Sequence, residues 1–420
     1  SHEQLLRFYR TMLTSRKIDE REISLRKQNK TFFQISGAGH EAIGVAIAEH
    51  CRPGSDWFFT HYRDRALVLS LGQTPLDHLL AAVGSGDDPA TGGRQMPCHF
   101  SDVRLNIASS SSVVATQFLQ AVGAAEADTK ISNIPGLQDL IHSFDEDEIV
   151  LVCSGEGQTS EGEFWESLNT ACNLSLPIVF VIEDNEYAIS VPVEVQTAGG
   201  SISQLVSGFP NLYIVECDGT DIVDSYRAAG AAITHAREQR APAFIHAHCT
   251  RPHSHSMSDD ERAYRTEKEL AAQDLRDPLT RTSTLLLENQ VTTAEELEGL
   301  ELEVGEEVAS AADEALASPQ AGPETAMRYL FSEDSDPTSS DFDTEDDPQY
   351  GDDNLLTMVD LLNACIKSEM ERDPRITVFG QDIADASREE ALSEVKGKGG
   401  VFKVTHGLQK QFGSERVYNT

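Results

Sequence analysis

No apolar run in this sequence approaches the roughly 18–20 residues needed to cross a bilayer, so no spanning helix is expected. The first residues, Ser-His-Glu-Gln, lack Met, an apolar stretch and a small-residue cleavage site. They read as a trimmed or engineered terminus and not as a signal peptide. No C-x-x-C pair occurs among the seven cysteines at 51, 98, 153, 172, 217, 249 and 365, and their number is odd. Several sit in apolar runs, such as Cys153 after Ile149-Val-Leu-Val, which reads as reduced core thiols in a cytoplasmic protein. Basic residues are scarce: 33 Lys and Arg stand against 70 Asp and Glu, a net charge of −37. Phosphates would be repelled, which argues against nucleic acid and anionic membranes as partners. Adaptation to a salty interior, where self-repulsion is screened, and an ordinary acidic mesophile account for the excess equally well.

What is present is organised. A length of 420 residues suggests two or three domains, and 39% hydrophobic residues suffice for sizeable cores. Residues 3–30 read as a charged amphipathic helix, and 31–125 as Gly-rich turns and short helices. Glu148-Ile-Val-Leu-Val-Cys153 is an apolar run after an acidic turn, the pattern of a buried parallel strand. Helical spacing follows over 161–174, then strands at 177–182, 213–217 and 243–247, with a helix at 221–239. Alternating strands and helices predict an α/β fold, a doubly wound parallel sheet with helices on both faces. Ligands of such sheets sit at the carboxyl ends of the strands. Residues 260–318 read as helices rich in Glu and Ala. Residues 319–353 read as a self-repelling linker, because 331–353 carries dense acid and no Lys or Arg. From 354 a helix resumes, and Arg375–Gly380 reads as the first strand of a second α/β domain, expected to be cut short at Thr420.

The chemistry gathers around Gly155-Glu156-Gly157, directly after the strand ending at Cys153. A lone G-x-G is more often a tight turn. Here the glycines let the backbone approach a phosphate, and the helix from Glu161 aims its positive end at the same place. Glu156 offers a hard oxygen there, and the next strand ends in Glu183-Asp184-Asn185. An acid and an amide at the ends of successive strands can converge on one Mg²⁺, which favours few protein oxygens plus phosphates and water.

Gly155-Glu-Gly157 followed by Asn185 resembles the thiamine-diphosphate signature. Ser160-Glu-Gly-Glu-Phe, Asn185-Glu-Tyr-Ala-Ile-Ser190, Tyr62-Arg-Asp-Arg65, Gly93-Arg-Gln-Met-Pro97 and His255-Ser-Met-Ser-Asp-Asp260 resemble the alpha subunit of 2-oxoacid dehydrogenases. That likeness runs from about residue 5 to 315. Val378-Phe-Gly-Gln-Asp382 and Gly399-Gly-Val-Phe-Lys-Val-Thr-His-Gly407 resemble the start of the beta subunit, so the chain looks like an alpha–beta fusion. The resemblance implies a thiamine-diphosphate-binding fold over 1–318, a linker over 319–353, and a truncated pyrimidine-binding domain over 354–420.

The resemblance also implies roles. Glu156, Asn185 and the Tyr187 carbonyl would hold Mg²⁺. Tyr62, Arg63, Gly155, Gly157, Gln158 and Ile189 would contact the coenzyme, with Arg63 on the diphosphate, and Ser112 and Val114 would face the aminopyrimidine. His255 matches the family's active-site histidine, a titratable group suited to phosphate binding and proton movement, with His253 nearby. Ser111, Val113, Thr116 and Gln117 fall where some relatives bind a monovalent cation such as K⁺; an ordinary loop and helix start fits them as well. Ser256 aligns with a serine phosphorylated in animal mitochondrial relatives. Two departures stand out: Glu183 replaces a phosphate-binding Arg of branched-chain relatives, and Asp184 replaces an Asn, both adding negative charge near a diphosphate. Residues 130–147 look like an insertion, and the family's cofactor-activating glutamate is expected beyond Thr420.

The activity implied is oxidative decarboxylation of a 2-oxoacid, with transfer of the acyl group to the lipoyl arm of a dihydrolipoyl acyltransferase. Gly93–Pro97 and Tyr187–Ser190 lean towards branched-chain substrates over pyruvate or acetoin. A homodimer of fused chains is the expected assembly, and a non-catalytic scaffold subunit is the rival reading.

Overall fold

The computed structural model describes residues 1–134, 136–141, 145–336, 338–340 and 356–420. Parts of the expected insertion (135 and 142–144) and of the acidic linker (337 and 341–353), and Leu355 at the start of the helix after it, lie outside the described residues. Backbone contacts divide the chain into two units, one of residues 1–126 and 145–326, the other of 127–144 and 327–420. Residues 318–320 bond to the segment around Ser85: Gly86 N donates to Pro319 O at 2.8 Å and Gln320 Nε2 to Val83 O at 3.0 Å.

In the first unit, α1 (His2–Lys27), α2 (Glu41–Ala48), β1 (Trp57–Phe59), α3 (Arg65–Leu71) and α4 (Pro75–Val83) come before α5 (Thr116–Asn133), of which residues 127–133 are counted with the second unit. Then follow β2 (Val150–Gly155), α6 (Gly162–Leu174), β3 (Ile178–Asp184), β4 (Tyr187–Ala188), β5 (Val191–Pro192), α7 (Val193–Gln196) and α8 (Ile202–Val206). β6 (Tyr213–Cys217), α9 (Ile222–Gln239), β7 (Ala243–His248), α10 (Glu267–Asp274), α11 (Pro278–Glu288) and α12 (Ala294–Ala317) complete it. The sheet order is β1-β2-β3-β7-β6, with every pairing parallel. This is the doubly wound α/β sheet read from the alternation of elements.

β2 and β3 are buried along their whole length, as strands covered on both faces must be. Successive side chains point to opposite faces. Leu151, Cys153, Val179, Val181 and Ile245 therefore meet Ile43, Ile47, Leu67, Val68 and Ile233 of α2, α3 and α9. Val150, Val152, Phe180, Ile182 and Phe244 meet Phe118, Val122, Phe164, Leu168 and Val206 of α5, α6 and α8. Each such burial contributes roughly 1.5–3 kcal/mol. An outer layer of α1, α4 and α12 packs through Met12, Leu79, Val304 and Val308. There the buried Arg65 guanidinium bonds to Asp19, and its Nη2 reaches Glu22 at 2.7 Å.

Two features differ from the sequence reading. β1 lies inside the stretch read as turns and short helices; three aromatic-rich residues at a sheet edge give no periodicity to find. The helix read near Glu161 does begin there, at Gly162, but a 3₁₀ turn that was not expected, Glu156–Ser160, precedes it, so the backbone donors nearest the end of β2 belong to that turn. All seven cysteines carry free thiols, and five are buried. Among the described residues no helix is long and apolar enough to cross a membrane.

The second unit contains α13 (Met358–Arg372), β8 (Val378–Gly380), α14 (Leu408–Phe412) and β9 (Val417–Asn419). β8 and β9 pair in parallel over a small core of Met370, Leu408 and Val417.

Candidate active site

Parallel pairing sets Gly155 opposite Glu183, so the residues one step further on emerge side by side at the carboxyl end of the sheet. Glu156 Oε2 accepts the backbone N–H of Asn185 at 3.3 Å. Both side chains are buried, and Glu156 Oε1 and Asn185 Oδ1 have no hydrogen-bond partner. Orphaned hard oxygens on two hydrogen-bonded neighbours are costly unless a cation or water satisfies them. Burial first, then the Asp184 carboxylate, pushes the Glu156 carboxyl up to about 7. Asn185 is oriented from behind: its Nδ2 contacts His40 Nε2 at 3.3 Å, and His40 Nδ1 lies 2.7 Å from Glu183 Oε2. Burial, then Arg63, lowers His40 to about 3, so its neutral ring donates through Nδ1 and accepts through Nε2. That leaves the Asn185 carbonyl oxygen without a hydrogen-bond partner.

These groups face a cavity of about 540 Å³. Tyr62, Arg63, Ser112, Val114, Gly155, Glu156, Gly157, Gln158, Asn185, Tyr187, Ile189 and His255 all line it. The turn at its floor depends on Gly157, where a Cβ would stand 2.8 Å from the Ala188 Cβ of β4. Gln158 is locked by Ser154 Oγ at 2.5 Å and Gln117 Nε2 at 2.7 Å. Tyr187 and Ile189 belong to the β4–β5 hairpin, and Ile189 has a φ of 57°, strained for a β-branched residue.

Arg63 is buried and makes a clamp: Nη1 donates to Ser36 O at 2.6 Å, and Nη2 to His255 O at 3.0 Å and His255 Nδ1 at 3.1 Å. Burial, then Arg63 and Arg251, lowers His255 to about 4. The ring is thus neutral at pH 7 and carries its proton on Nε2. Ser36 is itself fixed from α1, because its hydroxyl donates to Asp19 Oδ2 at 2.6 Å and Gly37 N donates to the same oxygen at 3.0 Å. His253 is exposed, whereas Ser256 is buried at the cavity wall.

The proposed monovalent-cation residues do not line the cavity. Ser111 Oγ accepts from Val113 N at 3.1 Å, Val113 is exposed, and Thr116 opens α5. Gln117 Nε2 is spent on Gln158 and on Cys153 O, while its Oε1 is buried without a partner.

Residues 9–324 match the family described as Dehydrogenase E1 component. The chain belongs to the dehydrogenase E1 component family. It is 34% identical over 329 residues to the 2-oxoisovalerate dehydrogenase subunit alpha of Bacillus subtilis, covering 78% of this chain and 96% of that one. It is 31% identical over 300 residues to a 3-methyl-2-oxobutanoate dehydrogenase subunit alpha of Mycobacterium tuberculosis (69% and 75% covered). With the mitochondrial 2-oxoisovalerate dehydrogenase subunit alpha of Mus musculus it shares 33% over 287 residues, covering 68% of this chain and 61% of the relative. E1 components are thiamine-diphosphate enzymes of 2-oxoacid dehydrogenase complexes.

In this E1 chain the two acidic departures are not free charges on the cavity. Glu183 is buried behind the wall with His40 and Asp64, and burial raises it to about 7. Asp184 Oδ2 bonds to His246 Nε2 at 2.9 Å and its Oδ1 accepts Glu186 N at 2.8 Å. Sequence reasoning missed two groups. His40 orients Asn185 from 145 positions away, which no local pattern reveals. Arg251 is buried and, among the described residues, bonds no carboxylate. Its Nη1 donates to Tyr187 O at 3.3 Å, and its Nη2 to Ile189 O at 2.7 Å and Tyr264 Oη at 2.8 Å. Burial, then Arg63 and Arg265, lowers it to about 10. Its place directly after β7, in Thr250-Arg-Pro252, was the available signal.

Proposed function

We propose that this E1 chain catalyses oxidative decarboxylation of a branched-chain 2-oxoacid of the 2-oxoisovalerate kind. The acyl group passes to the lipoyl arm of a dihydrolipoyl acyltransferase. The observation that carries this reading is the hydrogen bond joining Glu156 to Asn185 just past the ends of β2 and β3, each residue keeping an unpartnered oxygen and lining the same cavity. That donor set fits Mg²⁺, with the Tyr187 carbonyl as third protein ligand; Arg251 occupies only one of its lone pairs. When bound, thiamine diphosphate supplies the thiazolium that absorbs charge as carbon dioxide leaves.

The protein's own tasks are anchoring and enclosure. Arg63 retains N–H donors beyond those used on Ser36 and His255, and a guanidinium suits a diphosphate. Backbone groups of Gly155, Gly157 and Gln158, which line the cavity, would approach the phosphates. Tyr62 and Ile189 exclude water, and Ser112 and Val114 face the aminopyrimidine. His255 offers a donor at Nε2 and can move a proton there. We place a K⁺ ion at Ser111, Val113, Thr116 and Gln117, supported by the unpartnered Gln117 Oε1. Residues 354–420 belong, in this reading, to a beta-subunit-like pyrimidine-binding domain joined through 319–353. The working assembly is a homodimer of fused chains in the cytoplasm, where the seven free thiols stay reduced.

Thermal denaturation with thiamine diphosphate and Mg²⁺ tests the site. At a hundredfold excess over Kd the pair adds about 2.7 kcal/mol of stability. The shift should vanish in Glu156→Gln and need both components. Equal shifts in wild type and variant would overturn the assignment. Turnover with 2-oxoisovalerate against pyruvate tests the substrate.

A further inference from the structure

Three neighbouring strands end at a second cluster outside the coenzyme cavity. β3, β7 and β6 are adjacent, with Asp184 opposite His248 and Glu216 opposite His246. Residues two apart on a strand share a face, so His246 and His248 point the same way, and the register brings both acids to that face. Asp184 Oδ2 lies 2.9 Å from His246 Nε2, and Glu216 Oε2 lies 3.4 Å from His248 Nε2. One ligating atom from each of Asp184, His246 and His248 lies within 4.8 Å of the others. None of the four residues lines the coenzyme cavity.

The hydrogen bonds around His246 leave its Nε2 as the nitrogen available to a metal. The single Ser203 hydroxyl proton goes to Glu216 Oε1 at 2.6 Å. Ser203 Oγ, 3.0 Å from His246 Nδ1, must therefore accept from that nitrogen. Nε2 of a neutral ring then presents a lone pair to the Asp184 carboxylate.

We propose that Asp184, His246 and His248 form a binding site for a divalent transition metal of the zinc class, with Glu216 beside it as the partner of His248. Imidazole nitrogens mixed with carboxylate oxygens suit Zn²⁺ and its neighbours, whereas Mg²⁺ and Ca²⁺ take oxygen alone. Ser203 is the outer partner that fixes the His246 ring by accepting Nδ1–H. His246 and Asp184 are buried, while the side chains of His248 and Glu216 are 43% and 49% exposed, giving the ion a way in from solvent. Bound there, the metal ties β3, β7 and β6 together one residue before Asn185. The inference does not rest on the coenzyme reading.

The test uses the full chain, stripped with chelator and free of thiamine diphosphate. Cobalt(II) is titrated in and its visible absorption followed, with Zn²⁺ as competitor and melting temperature as second readout. One Co²⁺ per chain, displaced by Zn²⁺, is expected, and Zn²⁺ should raise the melting temperature. His248→Ala and Glu216→Gln, both half-exposed and so tolerated by the fold, should each weaken binding at least about tenfold. Glu156→Gln should keep the signal, which separates this site from the cavity. No cobalt band at stoichiometric metal, or equal binding by His248→Ala, would overturn the proposal.

Discussion

Replacing Gly157 by Ala is a small change with a calculable consequence. The new Cβ would stand 2.8 Å from the Ala188 Cβ, where carbons at optimal contact sit roughly 3.5–4.0 Å apart. No positive φ is involved, so the cost is overpacking alone, about 1–3 kcal/mol, offset in part by about 0.4–1 kcal/mol of lost unfolded-chain freedom. The clash partner is one methyl group. Ala188→Gly removes it, and the next nearest atom, Ala188 Cα, is 3.4 Å away. The double variant should therefore recover coenzyme binding and stability that Gly157→Ala loses, with a coupling of about 1–2 kcal/mol between neighbours. Denaturant unfolding supplies the stability side of the cycle, and quenching of intrinsic fluorescence by thiamine diphosphate supplies the binding side. A neutral Gly157→Ala, or an Ala188→Gly that rescues nothing, would show that the turn and the hairpin do not press on each other as described.

Arg65→Met should cost about 3–5 kcal/mol in urea unfolding, because it leaves the buried Asp19 and Glu22 carboxyls without their cation. Arg251→Met should loosen the β4–β5 hairpin by releasing the Tyr187 and Ile189 carbonyls, seen as faster amide exchange over 187–190 and weaker coenzyme binding. Glu156 has a folded pKa of about 7 against 4.5 for the free group, so the folded state holds its proton longer. Its contribution to stability is complete below pH 4.5 and lost as pH rises through about 7, roughly 3 kcal/mol in all. The unliganded wild type should lose stability across that window relative to Glu156→Gln, and a common pH profile would contradict the burial of Glu156.

The sheet and the floor of the site were legible because their signals are local. Apolar runs at 148–153 and 177–182 announce strands buried on both faces, and a polar residue just past each run must stand at the strand's end. Glu156 and Asn185 follow from that logic. β1 escaped because a three-residue edge strand has too few residues to show a period. Glu183 was misjudged for a related reason: alternation says that it and Asp184 point to opposite faces, but only the folded chain supplies His40 and Asp64 on one side and His246 on the other. Arg251 and His40 act through partners distant in sequence, so spacing could not reveal them.

Asp19 stands on α1 and lines no part of the cavity, yet it holds Ser36, whose carbonyl steadies Arg63, which in turn grips His255. The amino-terminal helix is thus part of the frame of the pocket. Shaving the chain back past residue 19 would unseat the grip of Arg63 on His255 from behind without removing a single residue that lines the cavity.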